Sequence, residues 1–149
     1  MLEIVSIIPH NKKSFCKIVN IERINHYNDS YIEFVRWITK NNRWDIGIIP
    51  LEANKFNKNK SYIKYLDYTA LGLPVICSDI EPYKGVVEND INGLVVENDS
   101  ESWYEAIDRL IKDPYLRKRL SDMAFNDLTK KYILKHRAKD FIEVYKKLG

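Results

Sequence analysis

Short apolar runs alternate with polar, helix-spaced segments along most of this chain. LEIVSII (2–8), GII within WDIGIIP (44–50), VIC (75–77) and LVV (94–96) are each too short for a helix and are bounded by Pro, Gly, Asn or Asp. A second N-terminal run, 17–21, alternates weakly. Between these runs, apolar residues recur at helical spacing over 31–40, 60–71, 103–111 and 128–145. Strand and helix in alternation predict an α/β domain with a mostly parallel sheet flanked by helices.

Punctuation fixes the boundaries. Asp29-Ser30 suits a helix start, and the spacing predicts a helix reaching Lys40, with Asn41-Asn42 ending it. A polar, lysine-dotted loop follows Pro50, and the next helix is predicted from Lys60 to Leu71, closed by Gly72. Pro82–Glu88 is predicted as a short helix with proline in its first turn, and Asn92-Gly93 as the turn into LVV. Asp99-Ser100 and Asp113-Pro114 open two further helices. With 149 residues, the chain is expected to form one domain, 1–149.

Several function classes drop out. The five glycines, Gly47, Gly72, Gly85, Gly93 and Gly149, are too dispersed for a GxGxxG or Walker A loop. Any phosphate must then be held by a helix N-terminus and side-chain cations. Cys16 and Cys77 form neither a disulfide framework nor a metal spacing, and His10, His26 and His136 share no spacing with each other or with acids. No metal site is expected, and the thiols read as ordinary reduced ones. No run approaches the roughly 20 apolar residues of a membrane span, and the N-terminus is unlike a secretory leader, so a cytoplasmic address is expected.

Charge is concentrated at the C-terminus. Residues 127–149 carry seven Lys/Arg against three acids, leaving −1 for the remainder of a chain whose net charge is +3. This segment is predicted as one basic amphipathic helix. It reads as a solvated face, or as a peripheral contact with an anionic membrane surface or a neighbouring domain. No helix-turn-helix, zinc-finger or RNP pattern accompanies it, so no nucleic-acid partner is expected.

In a parallel sheet, ligands gather beyond the carboxyl ends of the strands, which here means the loops after Pro50 and Cys77. Lys55, Lys58, Lys60 and Lys64 crowd the first loop with no acid among them. If the helix starts at Lys60, then Lys60, Lys64 and Asp67 share one stripe. Cations at a helix N-terminus oppose the dipole unless an anion joins them. A diphosphate fits that position, with Asp67 one turn on to accept hydrogen bonds from ribose hydroxyls. A solvated face with an ordinary Lys64–Asp67 pair is the plain alternative.

The run from Lys60 to Leu120, and above all LDYTALGLPVI, INGLVV and the Trp103 helix, resembles the donor-binding C-terminal half of GT-B glycosyltransferases of family 4, the group 1 type. The resemblance is strong over 45–120 and loose before it. It implies a Rossmann-like half of a GT-B fold that binds a nucleotide diphosphate sugar, without a further cofactor, for transfer to an acceptor hydroxyl with retention. It also implies a partner, an N-terminal acceptor-binding domain, and that this chain lacks the first strand and helix of its own half.

Carried over by position, Asp67 matches the family's second acid, with Asp in place of the usual Glu, and implies ribose binding. The first acid falls at Asn59, a departure that alters the contact to the transferred sugar. Lys60, Ser61 and Lys64, with Asn59, then take the diphosphate where relatives use glycines. Pro50 and Leu51 border the base, while Ser78 and Tyr83 line the cleft, with packing and binding equally open for Tyr83. No catalytic residue is assigned. A non-catalytic nucleotide-binding module remains the alternative. A receiver-like domain would need an acidic cluster that IIPHNKK lacks.

Overall fold

The structure is a computed structural model that describes residues 3–6 and 17–20 as backbone, together with 31–41, 43–135, 138, 142, 146 and 147. Two compact units divide it, Met1–Trp44 and Asp45–Gly149.

In the first unit, β1 (Glu3–Ser6) pairs in parallel with β2 (Lys17–Asn20), with Ile4 opposite Ile18. α1 (Tyr31–Lys40) has Glu33 in its first turn and Lys40 in its last, matching the helix dipole at both ends. Trp37 and Trp44 pack with ring centroids 6.1 Å apart. The expected cap at Asp29-Ser30, Cys16, and His10, His26 and His136 lie outside the described residues.

The second unit is built on a parallel sheet of β3 (Gly47–Ile49), β4 (Val75–Ser78) and β5 (Leu94–Val96), with β4 central. Gly47 pairs with Val75, and Ile76 with Leu94. All four β4 residues are buried, as a strand covered on both faces requires. Its side chains alternate between two cores. Val75 and Cys77 join Ile49, Tyr65, Tyr83, Val87 and Ala124 on one side, and Ile76 joins Leu94, Ala106, Leu110, Leu116 and Leu120 on the other. Burying a leucine such as Leu110 or Leu120 contributes about 2 kcal/mol.

Three helices cover the sheet: α2 (Ile63–Ala70), α3 (Ser100–Lys112) and α4 (Pro114–Asp127). Gly72 ends the α2 segment at φ +75°, the left-handed turn expected of it. Asp99 caps α3 by accepting from the backbone N–H groups of Glu101 and Ser102, and Asp113 caps α4 by accepting from Leu116. The α/β parallel architecture expected from the sequence is therefore present.

Three boundaries differ from expectation. First, α2 begins at Ile63, because the preceding chain forms a separate 3-10 turn, Asn57–Asn59, after which Lys60 is extended (φ −74°, ψ 159°). Asn54 and Asn57 drive that turn by side-chain bonds to the backbone, Asn57 N–H to Asn54 Oδ1 (2.8 Å) and Asn57 Nδ2 to the Glu52 carbonyl (2.9 Å). Second, Pro82–Glu88 is a series of turns, since Gly85 takes φ +76° and cannot propagate a right-handed helix. Third, the basic C-terminal segment is not one helix. α4 passes into a π-helical turn, Leu128–Tyr132, and the backbone is extended at Ile133. Tyr132 packs edge-on against Tyr62, centroids 5.6 Å apart, and this tertiary contact overrides the helical periodicity. Most of that segment after Lys135 lies outside the described residues.

Candidate functional site

The carboxyl ends of the three strands are joined by a closed ring of hydrogen bonds. The Leu51 N–H donates to Ser78 Oγ (2.9 Å), the Ser78 hydroxyl donates to Asn98 Oδ1 (2.6 Å), and Asn98 Nδ2 donates back to the Leu51 carbonyl (2.8 Å). Residues following β3 and β5 are thereby fixed to the last residue of β4. The ring fully occupies Ser78, which is buried, as a brace of this edge. Leu51 contributes its backbone here and packs its half-buried side chain on the core, while Pro50 stays exposed.

Beyond the ring, a cleft of about 460 Å³ opens between the 79–89 turns and the end of β5, with Ser78, Asp79, Tyr83, Lys84, Asn89 and Glu97 among its walls. Lys84 and Asp79 form an ion pair across 3.5 Å. Tyr83 reaches the cleft only marginally. Its ring lies in the core, and burial pushes its hydroxyl up to about 12, so it remains neutral under ordinary conditions.

The lysine-rich loop stands on the same edge, after β3. Its turn is braced internally, with Asn59 Nδ2 bonded to the Lys55 carbonyl (2.8 Å) and the Lys60 N–H to the Asn57 carbonyl (3.1 Å). Asn59, Lys60, Ser61 and Lys64 are all exposed. Because α2 starts at Ile63, Lys60 stands ahead of the helix rather than on a stripe with Lys64 and Asp67. Lys64 and Asp67 do share the helix, Lys64 in its first turn and half-buried Asp67 one turn on.

The N-terminus of α2 has no side-chain cap and no acid in its first turn. Its positive end is therefore presented between Lys60, Ser61 and Lys64 with no built-in anion. Sequence reasoning missed two residues here. Phe56 is the one large apolar side chain of the 52–60 loop, is 76% exposed, and has the Lys60 ammonium 5.0 Å from its ring centroid. Asn98 closes the strand-end ring from a position that no local motif marks. Among the described residues, no group of three His, Cys, Asp or Glu side chains is gathered to hold a metal ion. No helix among them is long and apolar enough to cross a membrane.

Residues 63–127, from the first residue of α2 to the last of α4, match the family described as glycosyl transferases group 1. The fold is similar to that of the C-terminal domain of a glycosyl transferase group 1 family protein from Francisella tularensis. That structure aligns with a TM-score of 0.57 at 18% identity over 80% of this chain and 54% of the other, a likeness of fold. An uncharacterized glycosyltransferase of Methanocaldococcus jannaschii is 29% identical over 105 residues, 68% of this chain and 25% of that protein. The chain thus spans about a quarter of the curated relative it matches. The GT-B C-terminal architecture implied by the sequence resemblance is the one found.

Proposed function

We propose that this chain is the donor-binding half of a glycosyltransferase and binds a nucleotide diphosphate sugar at the start of α2. The observation that carries this reading is the uncapped, acid-free N-terminus of α2, flanked by the exposed side chains of Lys60, Ser61 and Lys64. Backbone N–H groups, two ammonium groups and a hydroxyl suit the diphosphate. Asp67, one turn further along, accepts hydrogen bonds from the ribose, Asn59 lies towards the diphosphate, and Pro50 and Leu51 border the base.

The chemistry this supplies is leaving-group stabilisation. As the glycosidic bond to the diphosphate breaks, negative charge grows on its oxygens. Preplaced cations and N–H dipoles stabilise that charge more in the transition state than in the ground state. Transfer to an acceptor hydroxyl with retention requires a second, acceptor-binding domain, and residues 1–149 act as one nucleotide-sugar-binding domain beside it. The exposed lysines Lys130, Lys135, Lys146 and Lys147 favour a peripheral contact with the inner face of the membrane.

Titration calorimetry with UDP, GDP and ADP tests this reading. At least one should bind, and Lys60→Ala and Lys64→Ala should each weaken it about tenfold. Asp67→Ala should weaken it comparably while leaving inorganic pyrophosphate unaffected. Equal affinities across wild type and all three variants would remove the site.

A further inference from the structure

An aromatic ring that is 76% exposed, on a loop tied down by its own asparagines, calls for an explanation in terms of what it holds. Two backbone bonds of the turn involve Phe56 and Lys60 directly, with the Asn59 N–H donating to the Phe56 carbonyl and the Lys60 N–H to the Asn57 carbonyl. The Asn54–Asn57 bond sets the turn, and the Lys60 ammonium is over the Phe56 ring at 5.0 Å. A lysine on an exposed loop otherwise samples many rotamers, and restricting it on binding costs affinity. A ring face attracts an ammonium electrostatically without neutralising it, so the charge stays available to a stronger anion.

We propose that Phe56 is a positioning residue that holds the Lys60 ammonium over its ring, on the loop leading into α2, before the donor's diphosphate arrives. This rests on the diphosphate reading above. A carboxylate at position 56 would hold the ammonium as well but would compete with the phosphate and repel it. An aliphatic residue would fill the space without holding the charge. The diphosphate meets the ammonium while it is still over the ring, because a cation–π contact leaves its N–H groups able to donate, so the contact is kept in the complex.

Two measurements test this. In the NMR spectrum of the free protein, the Lys60 side-chain Hε resonances should be shifted upfield by the ring, and Phe56→Leu should return them to the position of the other exposed lysines. An unshifted Lys60 in the wild type overturns the proposal. In calorimetry with UDP, GDP and ADP, Phe56→Leu should weaken the bound nucleotide about two- to fivefold, and Phe56→Trp should restore it. In the Lys60→Ala background, Phe56→Leu should have no further effect. If Phe56→Leu binds like wild type while Lys60→Ala is weakened, Phe56 has no positioning role and the diphosphate site stands. If Phe56→Leu weakens binding equally in both backgrounds, the ring acts on the ligand directly and the proposal fails. Absence of any nucleotide binding by the wild type overturns both readings.

Discussion

Asn92 and Asp127 are 35 residues apart in sequence and joined by a 3.0 Å hydrogen bond from Asn92 Nδ2 to Asp127 Oδ2. This bond fastens the turn before β5 to the end of α4. Asn92 is 1% exposed and also donates to the Val86 carbonyl and accepts from the Glu88 N–H, while its own carbonyl receives the Tyr65 hydroxyl. Arg109 pairs with Asp90 across 2.6 Å, and Arg119 donates to the Asp90 carbonyl at 2.8 Å, so α3 and α4 both grip this turn.

Asn92→Ala therefore takes a partner from the Glu88 N–H, the Val86 carbonyl and the Asp127 carboxylate and leaves a small void where a buried side chain stood. The expected loss is about 3 kcal/mol, read as a lower urea midpoint with an unchanged m-value.

Asp127 gives this contact a pH dependence. Burial raises its pKa, but the hydrogen bonds from Lys131 and Asn92 outweigh burial and hold the carboxyl below its ordinary value of 3.8. A lowered folded pKa means that the stabilisation is complete above the unfolded value and is lost as pH falls through the folded one. Urea midpoints measured between about pH 6 and pH 3 should fall less steeply at the acid end in Asp127→Asn than in wild type. Part of the acid limb should persist, since the bonds from Ser102 and Glu101 also lower Asp99 at the α3 cap.

Ser78→Ala opens the ring at the strand ends. The Leu51 N–H and Asn98 Oδ1 both lose their partner, at an expected cost of about 1–3 kcal/mol. Faster hydrogen exchange at the Leu51 amide distinguishes this local release from general destabilisation.

Cys77 is fully buried, and burial pushes its thiol up to about 12. Iodoacetamide at neutral pH should leave the peptide carrying Cys77 unmodified in the native protein and alkylate it after unfolding in guanidinium chloride. Modification at the native rate of an exposed thiol would contradict this packing.

Where a residue acts on its own neighbours, the sequence was enough to place it. Gly72 and Pro74 bracket the entry to β4, Asp99 and Asp113 cap the helices that follow them, and the β-branched runs 75–76 and 95–96 are strands. Errors arose where distant or side-chain contacts decide. The start of α2 moved to Ile63 because Asn54 and Asn57 stabilise a competing turn, Gly85 adopts a left-handed conformation that a proline-led helix would exclude, and Tyr132 turns towards Tyr62. At the candidate site, the lysines and Asp67 were visible as an acid-free run followed by an acid. Phe56 was not, because a single apolar residue in a polar loop has no periodicity to mark it. Asn98 was not, because its partners lie 20 and 47 residues away.

The ring of Leu51, Ser78 and Asn98 also bears on how the edge comes into being. Its three bonds span separations of 27, 20 and 47 residues, so none forms within a single strand–helix unit. If β5 undocks, Ser78 loses its acceptor and the Leu51 carbonyl loses its donor together. The edge that carries the lysine loop is thus complete only when all three strands are in place, β3 and β4 alone supplying one of its three bonds.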